Sequence, residues 1–334
     1  MSKLPYISIL IPVYNVEPYI SKCIQSVMAQ TYTGEMECII VDDCGTDNSI
    51  AIAKRLIDGY NGPIEFRIIH HEHNRGLAAA RNIAVAAAKG EFIIHVDSDD
   101  WIEPTMVDEL VKKQQETDAD IVSCNAIAHY NDREELLIEP HYASIEEMMR
   151  SLLELTLNHV IWRRLIRTSL YKANNISAVE GVNIGEDHYT MPRLLYYAKS
   201  FAKCDKALYH YNCLNVSSYM QSSSTSFNFK RYQNDRDSIG ILISFFSEHD
   251  PNYLDQLYSI KANFIYDKFF PALKMMNSNI YKQLCDDWQT VDDKYKLIPK
   301  YRINLLTSSY ILNVIRVYLR IFLKKTTGIK KYKL

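Results

Sequence analysis

Over the first hundred residues, short apolar runs alternate with stretches of helical spacing. Tyr6–Pro12 (YISILIP), Met36–Asp42 (MECIIVD), Ile64–His70 and Glu91–Val96 are strand-length runs rich in β-branched residues. Between them, Pro18–Gln30, Asn48 to about Asp58 and the Ala-rich Gly76–Lys89 carry helical patterns, with Pro18 suited to a first turn. Strand–helix alternation with short loops predicts right-handed crossovers and an α/β fold built on a mainly parallel sheet flanked by helices. Ligands bind such sheets beyond the carboxyl ends of the strands. The polar clusters fall at those ends: Asn15, Asp42-Asp43, and Asp97-Ser98-Asp99-Asp100.

Beyond Pro104 the pattern is mixed. A helix runs to about Thr117, an apolar run spans Ile121–Ser123, and a helix opens at Ser144, where Glu147 stands at capping-box spacing. Phe201–Cys204 and Ala207–Tyr211 read as a hairpin. From about Phe227 the patterns are helical, and Gln221–Ser226 (QSSSTS) suits a boundary. The predicted organisation is a first domain over 1–222 and a C-terminal helical extension over 223–334.

Composition narrows the class. The chain has 334 residues, 47% hydrophobic and 23% charged, which is too apolar and too neutral for disorder. Seven cysteines without a C-x-x-C pair argue against a disulfide framework and against a Cys-rich zinc site. No signal-peptide pattern opens the chain, and no apolar stretch reaches the ~18 residues of a membrane span. The expectation is a cytoplasmic protein.

The formal net charge of −2 hides an asymmetry. After Asp293 there are eleven of the 38 basic residues and none of the 40 acidic ones, a local +11 that leaves −13 for the rest. Arg316, Arg320 and Lys324 recur every four residues beside Ile311, Ile315, Tyr318, Leu319 and Phe322. A basic amphipathic helix of this kind lies on an anionic membrane surface; the alternative is a core-packing helix followed by a solvated Lys-rich tail. Nucleic acid would also suit +11, but no stacking or finger motif accompanies it.

Several constellations can carry chemistry. Asp97 and Asp99, two apart at a strand end, point to one side and can meet a hard cation; otherwise they form a solvated acidic turn. Of Asp42 and Asp43, one can accept from a pyrimidine N3–H while the other caps the helix near Asn48. Arg75 precedes a helix N-terminus, which favours phosphate. Arg81 reaches the same phosphates or bridges surface acids. Glu186 and Asp187 open a helix pattern, either as base and structural acceptor or as first-turn acids. His188 and His210 are weak ligand candidates.

Taken in order, ISILIPVYNVEPYISKCIQSVMAQTY, ECIIVDDCGTDNS and HNRGLAAARNIAVAAAKGEFIIHVDSDDWIEP resemble family 2 glycosyltransferases of the GT-A fold, of the bacterial surface-polysaccharide type. The resemblance is dense over residues 5–105 and thinner through Ile161–Leu165, Gly185–Asp187 and Tyr209–Ser218. It implies a nucleotide-sugar half over about 1–105 and an acceptor half over about 106–222. It also implies nucleotide contacts at Pro12, Tyr14, Glu17, Asp42, Asp43, Arg75 and Ser98, with Asp43 the usual base-reading acid. Asp97 and Asp99 correspond to the metal-binding D-x-D, for Mg²⁺ or Mn²⁺. Asp187 corresponds to the catalytic base beside Glu186, and Trp162 to an acceptor-site aromatic. Arg164, placed with Trp162 at the acceptor site, stands where the family often has Lys.

The implied reaction is inverting transfer from a nucleotide-diphosphate sugar, UDP-linked by expectation, to a hydroxyl of a glycan or lipid-linked acceptor in polysaccharide biosynthesis. The expected partners are that donor, that acceptor and the anionic inner face of the cell membrane, with no nucleic acid and a homo-oligomer left open. A sugar nucleotidyltransferase would share the carboxylate site, but Ile9–Asn15 lacks the Gly-rich phosphate loop such an enzyme normally opens with. A non-catalytic sugar-nucleotide-binding assembly protein would need no base. A nicotinamide dehydrogenase lacks its G-x-G-x-x-G.

Overall fold

The structure is a computed structural model that describes residues 3–153, 159–215, 228–274 and 277–295. It divides into two compact units, Met1–Ser222 and Ser223–Leu334.

The first unit opens with β1 (Ile7–Val13), α1 (Ile20–Met28), β2 (Met36–Asp42), α2 (Ser49–Asp58), β3 (Glu65–His70), α3 (Leu77–Ala87) and β4 (Phe92–His95). All seven residues of β1 are buried, as expected of a parallel strand covered on both faces. Ile20, Cys23, Ile24 and Val27 form the buried stripe of α1 at helical spacing. The small side chains of Ala78, Ala79, Ala80 and Ala84 let α3 pack closely.

Next come β5 (Trp101–Ile102), α4 (Met106–Thr117), β6 (Ile121–His129), β7 (Glu134–Leu137), α5 (Ile145–Leu153), β8 (Arg164–Arg167), α6 (Thr168–Lys172), α7 (Glu186–Tyr197) and β9 (Phe201–Asn212). Among the described residues the nine strands form one sheet in the order β3-β2-β1-β4-β8-β6-β9-β5, with β7 paired to β6. The run β3-β2-β1-β4 is parallel. Past β4 the sheet is mixed, because β8 runs antiparallel to both β4 and β6 while β9 is parallel to β6.

The expected hairpin over 201–211 is corrected to the single strand β9. Its register on β6 jumps from Cys124↔Cys204 to Asn125↔Ala207, so Asp205 and Lys206 bulge outward without reversing the chain. Asn125 Nδ2 fills the gap by donating to the Asp205 carbonyl at 2.7 Å. The short apolar run at 121–123 is only the start of the nine-residue β6.

The second unit holds α8 (Phe229–His249), α9 (Leu254–Lys274) and α10 (Ser278–Gln289). Its core gathers Tyr232, Ile265, Phe269, Leu284 and Trp288. Asn228 and Asn277 cap α8 and α10 by accepting backbone N–H bonds. The predicted basic amphipathic segment, 302–334, lies outside the described residues.

Candidate active site

Register brings the carboxyl ends of β1 and β2 level, with Val13 opposite Asp42, while β4 ends three residues earlier, with His95 opposite Leu10. The loops leaving these ends carry the predicted polar clusters. Pro12 is buried at the end of β1, and Tyr14 is exposed beyond it. Glu17 accepts from the Asn48 backbone N–H at 2.9 Å and from its side chain at 3.1 Å, tying the β1 loop to the start of α2.

The two carboxylates after β2 part company. Asp43 is buried and accepts four bonds: from His71 Nδ1 at 2.7 Å, the Arg75 and Gly76 N–H groups at 2.8 Å each, and Asn74 Nδ2 at 3.1 Å. It shapes the 74–76 turn from within the protein. Asp42, 17% exposed at its side chain, accepts from the Cys44 N–H and contacts His70. Neither caps α2; Asp47 accepts from the Ser49 N–H there instead. The expectation of an open phosphate site at the start of α3 is corrected as well. Asp43 takes the Arg75 and Gly76 N–H groups, and Asn183 Oδ1 takes that of Ala78 at 3.0 Å.

The hub of the site is Arg81. Buried on α3, its Nε donates to Glu186 Oε1 and its Nη2 to Asp97 Oδ1, both at 2.8 Å. The phosphate-or-surface alternatives for Arg81 are thereby corrected to a strut between the acidic turn after β4 and the first residue of α7. A charge placed between Ala78 and Ala84, three residues away on each side of an otherwise small-residue face, was the available signal.

The acidic turn is fastened from the far end of the unit. Asp100 is buried and accepts from the Tyr209 hydroxyl and the Asn212 N–H, both at 2.7 Å. The Tyr209 hydroxyl also accepts from the Asp97 N–H at 3.1 Å. Asn215 donates to Asp99 Oδ2 at 2.8 Å. Burial, and then the Asp97 charge, push the Asp99 carboxyl up to about 6. Ser98 is buried between them.

The Asp97 and Asp99 carboxylates, each held through one oxygen, by Arg81 and Asn215 respectively, stand on the same turn. Two hard, mutually repelling carboxylates fit a divalent cation, which would relieve their repulsion. No cluster of three such ligands forms among the described residues, so donor phosphate oxygens and water would complete the shell.

Glu186 and Asp187 have different surroundings. Glu186 is buried, and burial lifts its carboxyl to about 7 against the opposing pull of Arg81, with the Asp187 charge adding to the rise. Asp187 retains 16% exposure at its side chain and lies 3.9 Å from His188 Nε2. Gly185 precedes them with φ +72, a conformation that suits glycine.

Trp162 stacks on Tyr209 and Tyr211 with ring centroids 4.6 and 5.4 Å apart. Arg164 is different. Its side chain is 0% exposed and pairs with the buried Glu139 at 3.0 Å, as Arg163 does at 2.6 Å. The acceptor-site expectation for Arg164 is therefore corrected to a structural counter-ion, since an acceptor cannot reach it. Arg75 meets Glu180 at 2.6 Å. A cleft of about 600 Å³ lies elsewhere, lined by Asp118, Asp120, Arg167 and Lys199, where Arg167 is already paired with Glu91 and Asp120.

Sequence reading missed Tyr209, Asn212, Asn183 and Glu139, and it placed Asp100 in the acidic cluster without its role in fastening the turn. Each acts through a partner at least 14 positions away, so no local motif marks it.

Comparison with known proteins places the chain in a family. The model of glycosyl transferase family 2 matches residues 8–174. EpsH of Bacillus subtilis, named as a glycosyltransferase, is 34% identical over 227 residues, which are 65% of this chain and 63% of that protein. This chain thus spans somewhat under two thirds of that relative. Among solved structures, S. aureus TarS 1–349 in complex with UDP-GlcNAc superposes with a TM-score of 0.69 at 21% identity, covering 98% of this chain and 93% of that one. The mannosyltransferase PcManGT from Pyrobaculum calidifontis, in complex with GDP-Man and Mn²⁺, gives 0.56 at 13% identity, covering 97% and 89%. These likenesses give the fold, a mixed sheet flanked by helices and followed by C-terminal helices.

Proposed function

The chain belongs to glycosyl transferase family 2, and from that premise we propose that it is an inverting glycosyltransferase acting on a nucleotide-diphosphate sugar, with UDP as the nucleotide. The acceptor is a hydroxyl of a glycan or lipid-linked saccharide in polysaccharide biosynthesis, met at the inner face of the cell membrane. The observation that carries this reading is the Arg81 strut, which joins the D-x-D turn to the Glu186-Asp187 turn. The UDP-GlcNAc bound to TarS supports the choice of donor.

In this reading Asp187 accepts the proton of the acceptor hydroxyl. The hydroxyl oxygen forms a bond to the sugar C1 from the side opposite the leaving group, and the C1–O bond to the diphosphate breaks, releasing the nucleoside diphosphate. Glu186, held by Arg81, fixes the turn that aims Asp187. Asp97 and Asp99 would hold Mg²⁺ or Mn²⁺, which supplies charge neutralisation for the departing diphosphate. The loops carrying Pro12, Tyr14, Glu17 and Asp42 surround the nucleotide, with Asp43 setting the turn beneath it, Ser98 on the nucleotide side and Trp162 on the acceptor side. Because a general base contributes ~10²–10⁴-fold, positioning and electrostatics supply most of the rate.

Titration calorimetry with UDP-GlcNAc and Mn²⁺, paired with turnover, tests the assignment. Asp187→Asn is expected to bind donor as the unaltered protein does while losing about 10²-fold or more in kcat. Asp99→Ala is expected to lose Mn²⁺-dependent affinity. Weak donor binding by Asp187→Asn would make that carboxylate structural, and Mn²⁺-independent binding that survives Asp99→Ala would remove the metal role.

A further inference from the structure

The segment 178–185 leads directly into Glu186 and Asp187, and it is laced to α3, to the turn before it and to α7. Ala178 exchanges two hydrogen bonds with the Asn82 side chain, each 2.8 Å. Asn183 takes the Ala78 N–H, and the Tyr189 hydroxyl accepts from the Val179 N–H at 2.9 Å. These links join partly buried groups. The remaining one differs in kind: Arg75 Nη2 and Glu180 Oε1 meet at 2.6 Å, yet their side chains are 39% and 50% exposed. Gly181 follows at φ +90, with nothing within 4 Å of the place a Cβ would occupy, so the backbone beside Glu180 has room to move.

An exposed ion pair of this sort adds little net stability. A guanidinium also binds a phosphate as readily as a carboxylate, through the same fork of N–H groups. The carboxylate on Arg75 is thus exchangeable for an anion of higher charge arriving at the carboxyl edge of the strands. We propose that Glu180 is a donor-sensing positioning residue. It holds Arg75 in the free protein and yields it to the diphosphate of a nucleotide donor, and its release loosens the segment that carries the Glu186-Asp187 turn. This rests on the nucleotide-donor reading above. Glu180 touches no reacting atom and acts through Arg75.

The full chain, E180Q, R75Q and the double variant are titrated with UDP and with UDP-GlcNAc in the presence of Mn²⁺. Both residues are exposed, and thermal melting checks that each variant folds. With the competing carboxylate removed, E180Q is expected to bind either nucleotide about two- to fivefold more tightly, in keeping with the small strength of an exposed pair. In the R75Q background the same change is expected to have no effect. Hydrogen exchange over 178–185 is expected to quicken when UDP binds the unaltered protein and to stay unchanged in E180Q. Equal or weaker binding by E180Q overturns the proposal. So does a gain that persists in R75Q, which would mark simple charge repulsion, or exchange over 178–185 that ignores UDP. If the unaltered protein binds neither nucleotide, the donor reading itself fails, an outcome distinct from unaltered binding in E180Q.

Discussion

Glu186 is the residue whose environment departs most from its neighbours on the same turn. One position from the half-buried Asp187, it is enclosed, and burial lifts it to about 7 although Arg81 lies on it. A carboxyl raised above its unfolded value binds more protons in the native state, so stability falls as pH rises from about 4.5 towards about 7. Glu186→Gln keeps the shape and can present its carbonyl oxygen to Arg81. It is expected to flatten that pH dependence, as read from urea midpoints at pH 5 and pH 7.5; an unchanged slope would assign the titration to another group. Arg81 faces the opposite hazard. Arg81→Ala would leave Glu186 buried without its cation and is expected to cost about 3–5 kcal/mol of stability, measured by the same unfolding.

Elements show where sequence patterns carry and where they stop. The pattern that predicts β1 and β4 is a property of each segment by itself, because a strand covered on both faces is largely apolar. The acidic turns after β2 and β4 were legible for the same reason. β9 was not, since a bulge looks like a turn when only its two exposed charges, Asp205 and Lys206, are visible. Arg164 misled differently: the resemblance put it at the acceptor site, whereas the fold pairs it, with Arg163, to the buried Glu139. Glu139→Gln would strand two buried guanidinium groups, and a destabilisation of about 3–5 kcal/mol is expected by chemical denaturation. Arg164→Lys is expected to lower the unfolding midpoint while leaving the acceptor KM unchanged. A raised acceptor KM without loss of stability would return Arg164 to the acceptor site.

At the scale of the molecule the charge is divided, +11 after Asp293 and −13 before it. Among the described residues no helix is long and apolar enough to cross a membrane. At ~1 kcal/mol per basic residue near an anionic bilayer, a handful of engaged Lys and Arg would suffice for attachment. Full-length protein is expected to float with anionic liposomes, and to be released by salt, whereas a chain ending at Lys300 is not. Equal recovery of both would remove the tail from this role. The acidic turn after β4 has a consequence of another sort, in time. Asp100 obtains its hydrogen bonds from Tyr209 and Asn212, 109 and 112 positions later. A chain emerging from the ribosome can pair β1 with β2 and β4 early, but its carboxylate loop stays unfastened until β9 has been synthesised. The first half of the unit is therefore finished by the half that follows it, and a nascent chain gains the geometry of its acidic turn only near the end of the first unit.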